Sequence, residues 1–415
     1  MPKAMQSAFD ALIELTEESA CEGVGDAAAT DGLRVVVHED MGAVEQEWRA
    51  FEQVADGTVF QSFDWLSTWQ RHVGTLRGIL PAVITAYDSH GTLQFLLPLA
   101  VDPGGLARRL TWLGSELCDY NGPLLGPDFG KHFDAVQFQA VWTRILLRLR
   151  DHPRLGFDAI CLDKMQRAVG TQSNPFVPLG VIPHPDGAYL TRLGCDWDKF
   201  YTQKRSSNTR QRDRAKRKKM SERGEVRFVT AQTSDDQAAT LHTLMEQKAM
   251  AMAAMGVANI FERPGYAAFY HALAAKSDII HISRLDVGSE IAAANLGLVF
   301  RGRYYHVLAS YTDGDLSRFG PGAAHLRELL QYAIGRGCEV FDFTIGDERY
   351  KQEWCDTTIV LFDHVSAVTL RGCALALGLY VIRRIKRWIK QSPLLWSAAF
   401  RLRGRIGPIM RRPRS

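Results

Sequence analysis

The chain has 415 residues, of which 46% are hydrophobic and 23% charged, with a formal net charge of +4. That length and apolar content suit two or three packed domains and exclude a disordered or fibrous chain. Seven cysteines stand without a Cys-x-x-Cys pair or a His/Cys cluster, which excludes a zinc ribbon or a disulfide scaffold and points to reduced thiols in the cytoplasm.

Residues 1–32 read as a disordered segment, acidic over 10–22 and without the apolar core of a signal peptide. A strand at 33–38 and a helix at 44–54 follow. In 60–69, Phe63, Leu66 and Trp69 recur every three residues and give an apolar helical face. Segments 79–87 and 93–101 read as paired strands across a turn at 88–91, and 109–113 as a further strand. An amphipathic helix at 136–150 leads to a strand at 157–163. Residues 171–187 are rich in Pro and Gly and read as a linker or long loop. A basic helical segment, 188–224 with its linker, joins the two halves. The second half repeats the outline: strand 225–230, helices 235–255 and 264–276, and a meander at 279–285, 291–300 and 303–310. A glycine turn, a helix at 323–336 and a strand at 340–346 close it. Phe157, Asp158 and Asp163 echo Phe341, Asp342 and Asp347, suggesting duplication. The expectation is an α/β chain of α+β mixed sheets, with one module over 33–187 and another over 225–370.

Gly320-Pro321-Gly322 lies between strand and helix. Such a turn lets backbone N–H groups converge on an anion at the positive end of the helix. Strand, glycine turn, helix and strand together frame a pyrophosphate cradle; by itself the turn also fits a purely structural role.

Four landmarks carry a resemblance. They are the Phe60 to Trp69 segment, the Lys/Arg-rich run from Lys204 to Lys219 ending at Gly224, Tyr311 followed by Pro321-Gly322, and Phe341-Asp342-Phe343 followed by Gly346-Asp347-Glu348-Arg349-Tyr350-Lys351 and Trp354. Over roughly 33–370 the chain resembles GNAT-fold acyltransferases of the CelD/BcsL group around cellulose synthesis, which are similar to Fem-type aminoacyl transferases. The resemblance implies two tandem GNAT-like modules, with acetyl-CoA or a longer acyl-CoA held by the second. It implies donor contacts at Leu308, Ser310, Arg318, Gly320, Gly322 and Ala323. Candidate acid–base groups are Asp342, Tyr350, Tyr311 and His306, and candidate acceptor contacts are Lys351, Trp354 and Asp313. The acceptor would be an amine or hydroxyl of an envelope or exopolysaccharide precursor, bound between the modules; no metal is implied. The family motif begins with Arg or Gln where this chain has Ser317, and Pro321 removes one N–H from the turn. A Fem-like donor, aminoacyl-tRNA, is the alternative, and a non-catalytic subunit of a polysaccharide synthase is another.

The basic run at 204–219 has little apolar face and reads as a solvated inter-module helix, with a polyanion contact as the second reading. Residues 371–415 hold ten Arg, two Lys and no acid, a charge of +12 that leaves −8 on the rest. Val381, Ile382, Ile385, Trp388 and Ile389 share one helical arc opposite five cations, as in helices that lie on anionic membranes. The longest uncharged stretch there, 372–382, is too short to span one. The expectation is a cytoplasmic protein held peripherally at the inner face of the membrane.

Overall fold

The computed structural model describes residues 32–275 and 278–391. The first half carries β1 (Arg34–His38), β2 (Leu80–Tyr87), β3 (Leu93–Asp102), β4 (Arg109–Trp112), β5 (Leu124–Leu125), β6 (Ala159–Gln166), β7 (Ala168–Val169), β8 (Gln172–Ser173) and β9 (Ile182–Pro183). The second carries β10 (Ala188–Arg192), β11 (Val226–Thr230), β12 (Ile280–Val287), β13 (Glu290–Phe300), β14 (Arg303–Tyr311), β15 (Val340–Ile345), β16 (Thr357–Ile359) and β17 (Leu361–Ala367). One sheet runs β1-β2-β3-β4-β6-β17-β9, with β5 on β3; the other runs β11-β12-β13-β14-β15-β10-β16. Only β4–β6 and β14–β15 pair in parallel among strands of these sheets. This is a mixed α/β fold, as expected from the sequence.

The first six positions of the two orders correspond one to one, and the sixth is exchanged. β17, late in the chain, completes the first sheet against β6, and β10, from the middle, completes the second against β15. Central strands such as β3 are buried along almost their whole length, which their unbroken apolar run Phe95-Leu96-Leu97-Pro98-Leu99-Ala100-Val101 requires. Flanking helices start at side-chain caps. Asp134 accepts from the Gln137 amide ahead of Ala135–Asp151, and Thr233 accepts from the Asp236 amide ahead of Ser234–Ala254.

One hydrophobic core spans both halves. Phe60 meets Tyr120 and Tyr305 edge-on at 5.8 Å, and Trp65 meets Phe269 at 5.1 Å. Such aromatic pairs contribute about 0.5–1.5 kcal/mol each beyond their buried area. Arg301, in the β13–β14 turn, donates to the Glu52 and Ala55 carbonyls and so caps the C-terminus of the helix Glu45–Val54.

Several expectations shift. The stretch 171–187 is not plain linker: it holds β8 and β9, and β10 follows at once. The strand expected at 157–163 begins two residues later and runs to Gln166, and the helix expected from 323 begins at Pro321. The segment 188–224 folds as β10 and two helices, Trp197–Lys204 and Ser207–Ser221. A helix, Leu370–Gln391, occupies the start of the basic tail; residues 1–31 and 392–415 lie outside the described residues. Among the described residues no helix is long and apolar enough to cross a membrane.

Candidate active site

The parallel pairing of β14 and β15 covers only three residues, Arg303 to Tyr305 with Val340 to Asp342, after which the strands part. Thr344 sits at the parting with a left-handed φ of +59°. Its amide, freed from the ladder, donates to Asp342 Oδ1 at 2.8 Å. A cavity of about 570 Å³ opens in the split, walled by His306, Ser310 and Tyr311 from β14, and by Thr344 and Ile345 from β15. In the first sheet, Asn121 pairs with Met165 across the matching split and its amide donates to the Lys164 carbonyl. That bridge leaves the second module as the one whose split stays open.

Gly320 takes φ +66° as the N-cap, and Pro321 is the first residue of the helix Pro321–Gly335. At that position proline's missing N–H is one that a helix leaves free anyway. The amides of Gly322 and Ala323 stay directed outward at the positive end of the helix, and both residues line the cavity. A Cβ on Gly322 would stand 3.0 Å from the Tyr311 ring, and one on Gly320 would stand 3.6 Å from Lys216 Nζ. The basic helix Ser207–Ser221 therefore lies against the glycine turn. Ion pairs Arg217–Glu328 and Asp213–Arg327 and the buried Met220 hold it there. Packed along this edge, the helix keeps the solvated face expected of it, with Arg212, Arg214, Lys216, Lys218 and Lys219 exposed.

His306, Tyr311, Tyr350, Lys351, Trp354, Ser310, Gly320, Gly322 and Ala323 all reach this cavity. Burial, with Lys351 and Lys248 nearby, lowers the His306 pKa to about 3, so the ring is neutral near pH 7. Turning the Asn295 amide brings its nitrogen to Leu308 O and His306 Nε2, each at 3.1 Å, an assignment in which Nε2 accepts and Nδ1 carries the proton. Burial, then Glu348, pushes the Tyr350 phenol above its usual range, so it remains a proton donor. Lys351 Nζ donates to the Ile345 carbonyl at 2.7 Å and pairs with Glu348 at 2.9 Å. Trp354 forms the wall behind, under the Arg205 guanidinium at 4.3 Å.

Asp342 stands apart. It is fully buried, accepts from Tyr120 Oη at 2.7 Å and Arg303 at 3.2 Å, and does not line the cavity. The Tyr120 bond joins the two modules, and Asp342, expected as a catalytic group, is placed off the cavity wall where it anchors that contact. Leu308 packs into the core, Asp313 is exposed on the turn, and the exposed Arg318 lies over the Phe319 ring at 5.0 Å; none lines the cavity.

Two of the lining groups absent from the sequence-derived set matter most for proton transfer. Asp119 arrives from the first module, and burial raises its pKa, opposed chiefly by Lys164. Lys164 Nζ donates to the carbonyls of Ser115 at 2.9 Å and Cys118 at 2.6 Å and so fixes the loop carrying Asp119. The Lys164 amide is in turn held by Asp363 of the exchanged β17, at 3.0 Å. Lys248, from the helix Ser234–Ala254, is the second, with its pKa lowered by burial. Among the described residues no three His, Cys, Asp or Glu side chains gather as a metal site.

Residues 207–352, which build the split, the glycine turn and the flanking helix, match the family described as Acetyltransferase (GNAT) domain. Over those residues the chain is similar to a GNAT-type acyltransferase domain. The fold is similar to that of FemX, at 12% identity and a TM-score of 0.55 over 80% of this chain and 96% of that one. Lower-scoring neighbours are L-PGS from Bacillus licheniformis (TM-score 0.49, 12% identity, 82% and 95% covered) and a tandem GNAT protein from the clavulanic acid biosynthesis pathway (0.43, 12%, 81% and 98%). No curated protein matches the chain.

Proposed function

We propose that this protein transfers an acyl group from acetyl-CoA or a longer acyl-CoA to an amine, or less readily a hydroxyl, on an envelope or exopolysaccharide precursor, as the CelD/BcsL resemblance implies. The observation that carries the reading is the pair of outward amides at Gly322 and Ala323, opening on the β14–β15 split beside Lys216. A pyrophosphate suits that helix N-terminus, and the split suits the pantetheine arm. Asp119 takes the proton of the acceptor ammonium, the amine attacks the thioester carbonyl, the C–N bond forms and the C–S bond breaks. Tyr350 gives its proton to the departing thiolate and recovers one from the attacking nitrogen, which sheds its second proton as the amide forms. Placing Asp119 across the module boundary puts the acceptor between the modules. Transfer assays with purified protein, acyl-CoA and amine-bearing glycan precursors test this: thiol release that requires both partners supports it, and none with any acceptor contradicts it.

The second reading keeps the fold and uses an aminoacyl-tRNA donor. The exposed cations of the helix Ser207–Ser221 beside the turn favour it, since clustered Lys and Arg follow a phosphate backbone. RNase treatment separates the two, abolishing transfer only from aminoacyl-tRNA. A cytoplasmic, peripheral location is part of the proposal. Leu377, Val381 and Ile382 are exposed on the helix Leu370–Gln391, and the sequence beyond adds Arg383, Arg384, Lys386, Arg387 and Lys390. Flotation with anionic vesicles, lost on replacing these three apolar residues with Ser, is the expected result; undiminished flotation contradicts it.

A further inference from the structure

A second cavity, of about 560 Å³, lies between the modules and is separate from the acyl-transfer split. Its wall brings together Arg167 from the first module and Arg301 and Arg303 from the second. Arg167 lies over the Phe362 ring at 4.9 Å, and Arg301 donates to backbone carbonyls; neither forms an ion pair among the described residues. Arg303 reaches back to Asp342 Oδ2 at 3.2 Å, a carboxylate already shared with Tyr120 and the Thr344 amide. The one carboxylate in the lining, Asp56, is turned into the β7–β8 hairpin, where Thr171 and Gln172 donate to it. Three guanidinium groups thus border a cavity whose only acid is occupied elsewhere. Phe300 and Tyr305 add aromatic surface beside them. Planar guanidinium groups fit phosphate oxygens in a bidentate fashion.

We propose that this arginine cavity binds the phosphate group of a phosphate monoester, with Phe300 and Tyr305 covering the organic part. On the proposed reading, in which the glycine turn takes the pyrophosphate of the donor, the ligand of this cavity is a second molecule. The Arg303–Asp342–Thr344 chain of hydrogen bonds runs from this cavity to the lip of the split. Phosphate binding here rests on the arginine lining alone, whereas the ligand's being distinct from the donor rests on the proposed donor site.

Calorimetric titration of the full-length Gly322→Val protein, in which the glycine turn is blocked, isolates the cavity from the donor site. Inorganic phosphate and phenyl phosphate are the probes. One site per chain is expected, with phenyl phosphate at least threefold tighter and Arg167→Gln weakening both at least tenfold. Arg167→Lys, which keeps the charge, should lose less. Arg167 is exposed and touches only a ring, so its replacement spares the fold, as an unchanged melting curve verifies. No binding to the Gly322→Val protein, equal affinity for the two probes, or binding indifferent to Arg167→Gln overturns the proposal. Failure of acyl-CoA to bind the wild-type chain would leave this result standing and count only against the donor.

Discussion

Asp119 is the residue on which the proposed chemistry turns. An aspartate desolvated as Asp119 is holds its proton to higher pH than an ordinary carboxylate, and the base is active only when that proton is gone. kcat/KM for acyl transfer should therefore fall as pH drops through that raised pKa. Asp119→Asn should lower kcat/KM by about 10²–10⁴ and flatten that limb; an unchanged profile would assign the base elsewhere. Asp342 should behave oppositely. Tyr120→Phe leaves a buried carboxylate short of a donor and should cost about 1–3 kcal/mol in urea unfolding while kcat stays near wild type. A collapse of kcat without loss of stability would return Asp342 to the chemistry. His306, Tyr350 and Lys351 were legible because they sit in or beside contiguous strand and glycine patterns. Asp119 was not, because only tertiary packing brings a residue from the loop before β5 to the end of β15.

The exchanged strands dominate at the level of elements. A fragment of residues 225–370 would lack β10, exposing the edge of β15, and would carry β17 without β6, leaving Leu361 and Phe362 unburied. Such a fragment should fail to show a sharp thermal transition by circular dichroism, and so should residues 33–187 alone. A cooperative melt of either would contradict the exchange. The long elements were readable from apolar period, caps and turns. β10, β16 and β17 were not: β16 is only three residues long, β17 carries the polar Asp363 and His364, and β10 and β17 find partners far along the chain. The echo of Phe157-Asp158 with Phe341-Asp342 pointed to the repeated sheet order but in a shifted register. The parallel pairings begin at Ala159 and Val340, so the corresponding positions differ from that letter match by three residues.

The whole molecule is tied together by one core that packs across both halves beside cores confined to each, so heat should unfold both halves in a single calorimetric transition, and two resolved peaks would argue against it. Acid should weaken it. Burial lowers His281 to about 4 and His306 and His325 to about 3, against 6.5 when unfolded. The unfolded chain then binds more protons, so stability is full above pH 6.5 and declines as pH falls toward 4. Each histidine contributes a slope of about 1.4 kcal/mol per pH unit. Asp119 and Asp342, whose pKa values are raised, offset part of that loss at the acid end. Urea unfolding at pH 7 and pH 5 should show the drop, and His325→Gln should make it shallower; equal stability at both values would contradict the buried neutral rings.

The central claim is that the glycine turn and the β14–β15 split hold an acyl-CoA. Isothermal titration of the full-length protein with acetyl-CoA and with a longer acyl-CoA tests it directly. The account predicts one site per chain, weakened at least tenfold by Gly322→Val, whose side chain would press on Tyr311. Absence of binding to both ligands, or binding untouched by that substitution, would contradict it.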